Sequence, residues 1–194
     1  MDMKSNWSEP DLTQAIATLK NGGLLLCPTD TIWGIGGDAT QSGVVEKILK
    51  LKQRPAEKGM LVLIRESEDD MKSEGVMGKA VKLMRASIEP LTVIIPGTEI
   101  PELAANLLAP DGSIGIRIPK DDFCLELLRR FGKPVISTSA NISGGAAPKT
   151  FHEIPPVLIR DVDYVVWWRR DDPQPGQPSG IVRITKDGEI ERIR

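Results

Sequence analysis

Three segments of this chain gather side chains that can hold anions or orient a small polar ligand. The first, Cys27 to Ala39, reads Cys-Pro-Thr-Asp-Thr-Ile-Trp-Gly-Ile-Gly-Gly-Asp-Ala. It sets Thr29, Asp30, Thr31 and three glycines between an apolar run and a helical pattern, where open α/β sheets place ligands. Gly34, Gly36 and Ala39 also match the GxGxxA fingerprint of dinucleotide loops. That fingerprint needs its first glycine directly after the strand so that pyrophosphate reaches a helix N-terminus, and here Pro28 to Trp33 intervene. Glycines that merely let a loop bend through positive φ are the plainer account, which leaves Thr29, Asp30 and Thr31 without a role.

The second segment, Leu51-Lys-Gln-Arg-Pro-Ala-Glu-Lys-Gly59, brings Lys50, Lys52, Arg54 and Lys58 to a loop edge. Lysine supplies a mobile point charge and arginine a rigid fork, a pair suited to a triphosphate. A solvated helix end, where basic side chains oppose the dipole, is the competing reading. The third, Ser137-Thr-Ser-Ala-Asn-Ile-Ser-Gly-Gly145, puts small polar side chains straight after an apolar strand. Such a turn can bind phosphate or carboxylate through hydroxyls, amide and backbone N–H groups, or can simply bond to itself. Without a GxSxG elbow and with His152 as the one histidine, a serine hydrolase is disfavoured, as is a zinc centre of HExxH or CxxC type.

The elements that must position these segments are readable from periodicity. Ser8 to Asp11 has capping-box spacing with Pro10 in the first turn, and Leu12, Ile16 and Leu19 share a helical face before Asn21-Gly22. Leu24 to Cys27 predicts a strand covered on both faces. Val44 to Lys52 predicts a helix that Pro55 stops. Further strands are expected at Met60–Ile64, Leu91–Ile95, Ile114–Ile118 and Val135–Thr138. Between the last two, Cys124, Leu127, Leu128 and Phe131 form a helical stripe opened by Asp121 and Asp122 and closed by Arg129, Arg130 and Gly132. Tyr164–Trp168 and Ile181–Thr185 read as strands, Lys186-Asp187-Gly188 as a hairpin turn before Ile190, and Asp171–Pro178 as a surface loop. The pattern is α/β with an antiparallel component: a twisted mixed sheet with helices on its faces.

At 194 residues, 40% hydrophobic and 27% charged, residues 1–194 fit a single domain. A net charge of -2 argues against an all-basic polyanion clamp. No secretory signal or membrane-length apolar run is present, and Cys27 and Cys124 cannot form a disulfide framework, so a reduced cytoplasmic protein is expected.

Taken in order, Pro28-Thr-Asp-Thr-Ile-Trp-Gly34, Lys52-Gln-Arg-Pro55, Gly115-Ile-Arg-Ile-Pro119, Ser137-Thr-Ser-Ala-Asn-Ile-Ser-Gly144 and Pro178-Ser179 resemble the YrdC family over nearly the whole chain, in its short form. The resemblance implies a YrdC-like sheet and a synthase making threonylcarbamoyl-AMP from ATP, L-threonine and bicarbonate or CO2, with Mg2+. It implies Lys52, Arg54, Ser139 and Asn141 as the catalytic, ATP-holding set, helped by Lys58. Thr31, Arg117, Ser137 and Ser179 would contact threonine, with Arg117 on its carboxylate; a surface arginine on an edge strand is the plain alternative for Arg117. The receiver would be a separate transferase that modifies adenosine 37 of tRNA. Departures are Ser87-Ile-Glu where relatives usually have Trp-Pro-Gly, Gly180 for a threonine, and Trp33 for a tyrosine.

Two other functions compete. A module binding double-stranded RNA or tRNA would use the same fold without synthase activity, although one Tyr, three Phe and four Trp leave little for base stacking. A hydrogenase-maturation carbamoyltransferase would need additional domains for which this length has no room.

Overall fold

The computed structural model describes residues 7–54, 60–185 and 187–194, so Lys58, Pro55 and Lys186 lie outside the described residues. In chain order the elements are α1 (Glu9–Lys20), β1 (Leu25–Cys27), β2 (Gly34–Asp38), α2 (Ser42–Lys52), β3 (Leu61–Leu63), α3 (Glu68–Lys72), α4 (Val76–Ala86), β4 (Leu91–Pro96), β5 (Ser113–Arg117), α5 (Asp122–Phe131), β6 (Val135–Ser139), α6 (Pro156–Asp161), β7 (Tyr164–Val165), β8 (Gly180–Ile184) and β9 (Ile190–Arg192). Among the described residues no helix is long and apolar enough to cross a membrane.

Local chemistry sets the helix ends. In α1 the Ser8 hydroxyl accepts from Asp11 N, but the reciprocal half of the expected capping box does not form. The Asp11 carboxylate instead accepts from Tyr164 Oη at 2.7 Å and from the N–H groups of Trp167 and Trp168 at 3.0 Å. Those bonds also explain why the predicted strand Tyr164–Trp168 shrinks to Tyr164–Val165: Val166 N still donates to Leu26 O at 2.9 Å, but the next two amides turn to a carboxylate rather than to a ladder. Asp121 caps α5 through Cys124 N, and Gly132 closes it at φ 79°. Gln53, left-handed at φ 50°, ends α2 two residues before Pro55.

Among the described residues nine strands form one mixed sheet in the order β7-β1-β2-β6-β3-β5-β4-β8-β9. The glycine-rich segment is not a bent loop. Gly34–Asp38 is extended and pairs antiparallel with both β1 and β6, so the loop proper is Pro28–Trp33.

Strand alternation sends Leu26, Ile35, Val62, Val93, Ile95, Ile114, Ile116 and Ile136 to one face, where they pack with Val44, Val45 and Ile48 of α2 and with Ala80, Val81 and Met84 of α4. On the other face Leu25, Cys27, Leu63 and Val135 meet Leu12, Ile16 and Leu19 of α1 and Phe123, Leu127 and Phe131 of α5. That second cover ends near the middle of the sheet, and the uncovered part becomes a cleft.

Candidate active site

The cleft, of about 430 Å³, runs across six adjacent strands and takes every second residue from most of them. Gly34 comes from β2, Ser137 and Ser139 from β6, Leu61 from β3, Ser113, Gly115 and Arg117 from β5, Thr92 and Ile94 from β4, and Ile181 and Arg183 from β8. Period-two alternation puts these on one face and their apolar neighbours on the other, so the spacing that builds the core also builds the site. Gly34 and Gly115 keep the floor low. A Cβ at Gly34 would stand 3.3 Å from Ser137 Oγ, and one at Gly115 would stand 3.2 Å from Thr92 Cγ2.

Of the nine residues expected at a site, Thr31, Arg54, Arg117, Ser137, Ser139 and Ser179 line this cleft. Lys52 and Asn141 stand behind it, and Lys58 is outside the described residues. Arg183, Arg194, Thr92 and Ser113 also line it, which sequence reasoning did not single out. Alternation was the available signal: Thr92 and Arg183 share the face of Arg117 through the β5-β4-β8 ladders.

The hydroxyls around the loop Pro28–Trp33 have an assignable direction. Thr29 Oγ1 donates its one proton to Ile32 O at 2.8 Å and accepts from Thr31 N at 3.1 Å, so Thr31 must be the donor in their 2.8 Å contact. The Thr31 oxygen therefore faces the cleft as an acceptor, fit for an ammonium or hydroxyl. On the opposite wall Thr92 Oγ1 and Ser179 Oγ lie 2.8 Å apart, sharing one proton. Arg117 is 3% exposed and pairs with Asp30 at 3.5 Å, and its Nε has no partner among the described residues. Burial lowers its pKa, with Asp30 opposing, yet a guanidinium stays charged. A buried cation with an unused donor can pair with a carboxylate.

Lys52 is 1% exposed, and its ammonium is spent on the Ser139–Asn141 turn. Nζ donates to Ser139 O, to Asn141 O at 2.7 Å and to Asn141 Oδ1 at 3.2 Å, using all three protons. The main chain reciprocates, Ser143 N donating to Lys52 O at 2.9 Å. Ser139 Oγ donates to Asn141 Oδ1, and Asn141 Nδ2 to Gly145 O at 2.6 Å. The turn is thus internally bonded and rests on a buried positive charge. Burial, aided by Arg54, lowers the Lys52 pKa to about 8.

Asp171–Pro178 is a mostly exposed loop, as expected, and with its flanks, 169–179, it lies against the loop that carries Thr31. Gly176 N donates to Lys149 O at 2.9 Å, and a Cβ at Gly176 would come within 2.1 Å of Thr31 O. Arg169, left-handed at φ 63°, donates to Thr29 O at 3.1 Å and pairs with Asp121 and Asp172. The segment therefore straps the Thr31 loop down while delivering Ser179 to the far wall.

Comparison with known proteins gives the family and the fold. The Sua5/YciO/YrdC family model, described as "Telomere recombination", matches residues 17–194. A threonylcarbamoyl-AMP synthase of Stenotrophomonas maltophilia is 32% identical over 162 residues, covering 81% of this chain and 86% of its own. Among solved structures, E. coli YciO superimposes with a TM-score of 0.78 at 22% identity, covering 96% of this chain and 89% of its own. P. abyssi Sua5 complexed with L-threonine gives 0.73 at 22% identity; the match covers 92% of this chain and 52% of that one.

Proposed function

This chain belongs to the Sua5/YciO/YrdC family, and on that premise we propose that it works as a threonylcarbamoyl-AMP synthase, a nucleotidyltransferase whose substrates are L-threonine, bicarbonate or CO2, and ATP. The observation that carries this reading is the charge of the cleft. Arg54, Arg117, Arg183 and Arg194 line it, and among the described residues no Asp or Glu does. Two anions must meet there, an amino-acid carboxylate and a triphosphate, in a chain whose net charge is -2.

In this mechanism Arg117 takes the threonine carboxylate, and the Thr31 oxygen accepts from its ammonium or hydroxyl, with Ser137 and Ser179 completing the pocket. Bicarbonate takes up a proton to give CO2 and water, a proton balanced by the one the amine sheds in the next step. The threonine amine, as free base, attacks the carbon and sheds a proton to give a carbamate. A carbamate oxygen then attacks the α-phosphorus of ATP, and the bond to the β-phosphate breaks to release pyrophosphate. Preorganised cations are what lets an anion approach a polyphosphate. Arg54, Lys58 and the Ser139–Asn141 turn hold the phosphates, with the Lys52 charge directly beneath the turn. Mg2+ on this reading travels with the nucleotide, because hard cations seek carboxylates and phosphate oxygens and the lining offers no carboxylate. The product's consumers are a separate transferase and tRNA, and residues 1–194 act as one cytoplasmic domain.

Pyrophosphate release measured with ATP, Mg2+ and bicarbonate, one amino acid at a time, tests the assignment. Release is expected with threonine and to collapse in Ser139→Ala. Release that is indifferent to the amino acid would sink it, and salt-dependent RNA retention without turnover would favour the RNA-binding reading. The strap gives a more local expectation. Gly176→Ala must move Thr31 or the strap, so the KM for threonine should rise by ~5- to 20-fold while that for ATP moves less, since a shift near 1 Å is costly to positioning. Equal effects on both substrates would show that the strap does not act on the amino-acid wall.

A further inference from the structure

Asp30 lies next to Thr31 in the loop yet does not line the cleft. Its side chain is 6% exposed and makes two contacts. Oδ1 is 3.5 Å from Arg117 Nη2, and Oδ2 accepts from Lys120 N at 3.0 Å. Lys120 Nζ in turn donates to Ser87 O and, at 2.9 Å, to Ile88 O, in the loop that leads into β4 and Thr92. One carboxylate thereby connects the Thr31 loop, the end of β5 with Arg117, and the approach to the Thr92–Ser179 pair.

The bonding of this cluster is incomplete in a particular way. Among the described residues three buried side-chain atoms have no hydrogen-bond partner, and two of them are Asp30 Oδ1 and Arg117 Nε. A structural ion pair between buried partners normally closes as a fork with its remaining donors satisfied. This one is a single long contact at Arg117 Nη2 that leaves Nε without a partner.

We propose that Asp30 is a positioning residue for amino-acid recognition: it aims the Arg117 guanidinium at the substrate carboxylate and ties that aim to the loop bearing Thr31. The inference rests on the reading that Arg117 receives the carboxylate. It has a sign opposite to plain electrostatics. If Asp30 only diluted the positive charge, removing its own charge would tighten threonine; if it aims Arg117, removal weakens threonine.

The experiment compares wild type and Asp30→Asn for the KM of L-threonine, the KM of ATP and the inhibition constant of L-threoninamide, which lacks the carboxylate. Asp30→Asn should raise the threonine KM by ~10- to 30-fold, with most of the loss in KM rather than kcat, as expected for a misaimed charge-assisted contact. The preference for threonine over threoninamide should shrink by ~5-fold or more, because the carboxylate contact is affected most. Parallel weakening of both ligands would mark a purely structural role and overturn the proposal, as would unchanged or tighter threonine. Asp30→Glu, which keeps the charge and moves it, serves the same comparison should the asparagine variant not fold. Arg117→Gln is run beside them. If it leaves the threonine KM untouched, the assignment of Arg117 fails and this inference with it; if it matters while Asp30→Asn does not, the inference alone fails.

Discussion

Lys52→Ala is expected to reduce threonine-dependent pyrophosphate release by ~10²- to 10³-fold, the size seen when one preorganised oxyanion donor is removed, although Lys52 does not line the cleft. Its ammonium holds Ser139 O, Asn141 O and Asn141 Oδ1, so its loss frees the turn and removes the charge below the phosphates together. Stability should also fall, by ~2–4 kcal/mol: three half-buried acceptors lose their donor and a void of three methylenes and an ammonium opens, offset in part by relief of the buried charge. Lys52→Met refills the void without the charge, so it should melt higher than Lys52→Ala and be equally inactive. An active Lys52→Met would show that packing alone sustains the turn.

The same residue sets a pH dependence with two opposite limbs. Its folded pKa of about 8 lies below the ordinary lysine value of 10.5. Between those values the unfolded chain holds a proton that the folded chain has released, so this group's contribution to stability rises with pH across the window. The charge under the phosphates is lost over the same range. Activity at saturating ATP should therefore fall above about pH 8 while the melting temperature gains from this group, and Lys52→Arg should move the activity limb upward.

Arg117→Gln carries the second large effect. Threonine kcat/KM should drop by ~10²- to 10³-fold, equivalent to about 3–4 kcal/mol, because truncation removes the carboxylate's partner and strands the buried Asp30 charge. ATP affinity should change by less than ~3-fold, since the triphosphate has separate cations. A comparable loss for both substrates would mean that the variant damages the sheet rather than the amino-acid wall.

The sequence makes much of this arrangement legible, and the misses have identifiable causes. Caps and stripes locate α1, α2 and α5, because Ser8, Asp121, Gly132 and the apolar spacing act locally. Gly34–Asp38 reads as a loop because glycines carry no β propensity, and its strand character comes from pairing on both sides with β1 and β6. Helix α4 goes unnoticed despite Ala80, Val81 and Met84, since Gly75, Gly78 and the adjacent acids blur its stripe. At the site, residue types are visible but depth is not. Lys52 reads as a phosphate ligand at a helix exit, whereas its burial under the turn depends on β6, 87 residues away. Thr92, Arg183 and Arg194 carry no local motif and meet Arg117 only through strand order.

The central claim concerns where the carbon of bicarbonate goes. With labelled bicarbonate, L-threonine, ATP and Mg2+, the account predicts label in a compound that also contains threonine and AMP, formed in step with pyrophosphate and lost in Lys52→Ala and Arg117→Gln. Threonine-dependent pyrophosphate release with no label in the adenylate would contradict it, for the chain would then be activating the amino acid itself rather than its carbamate.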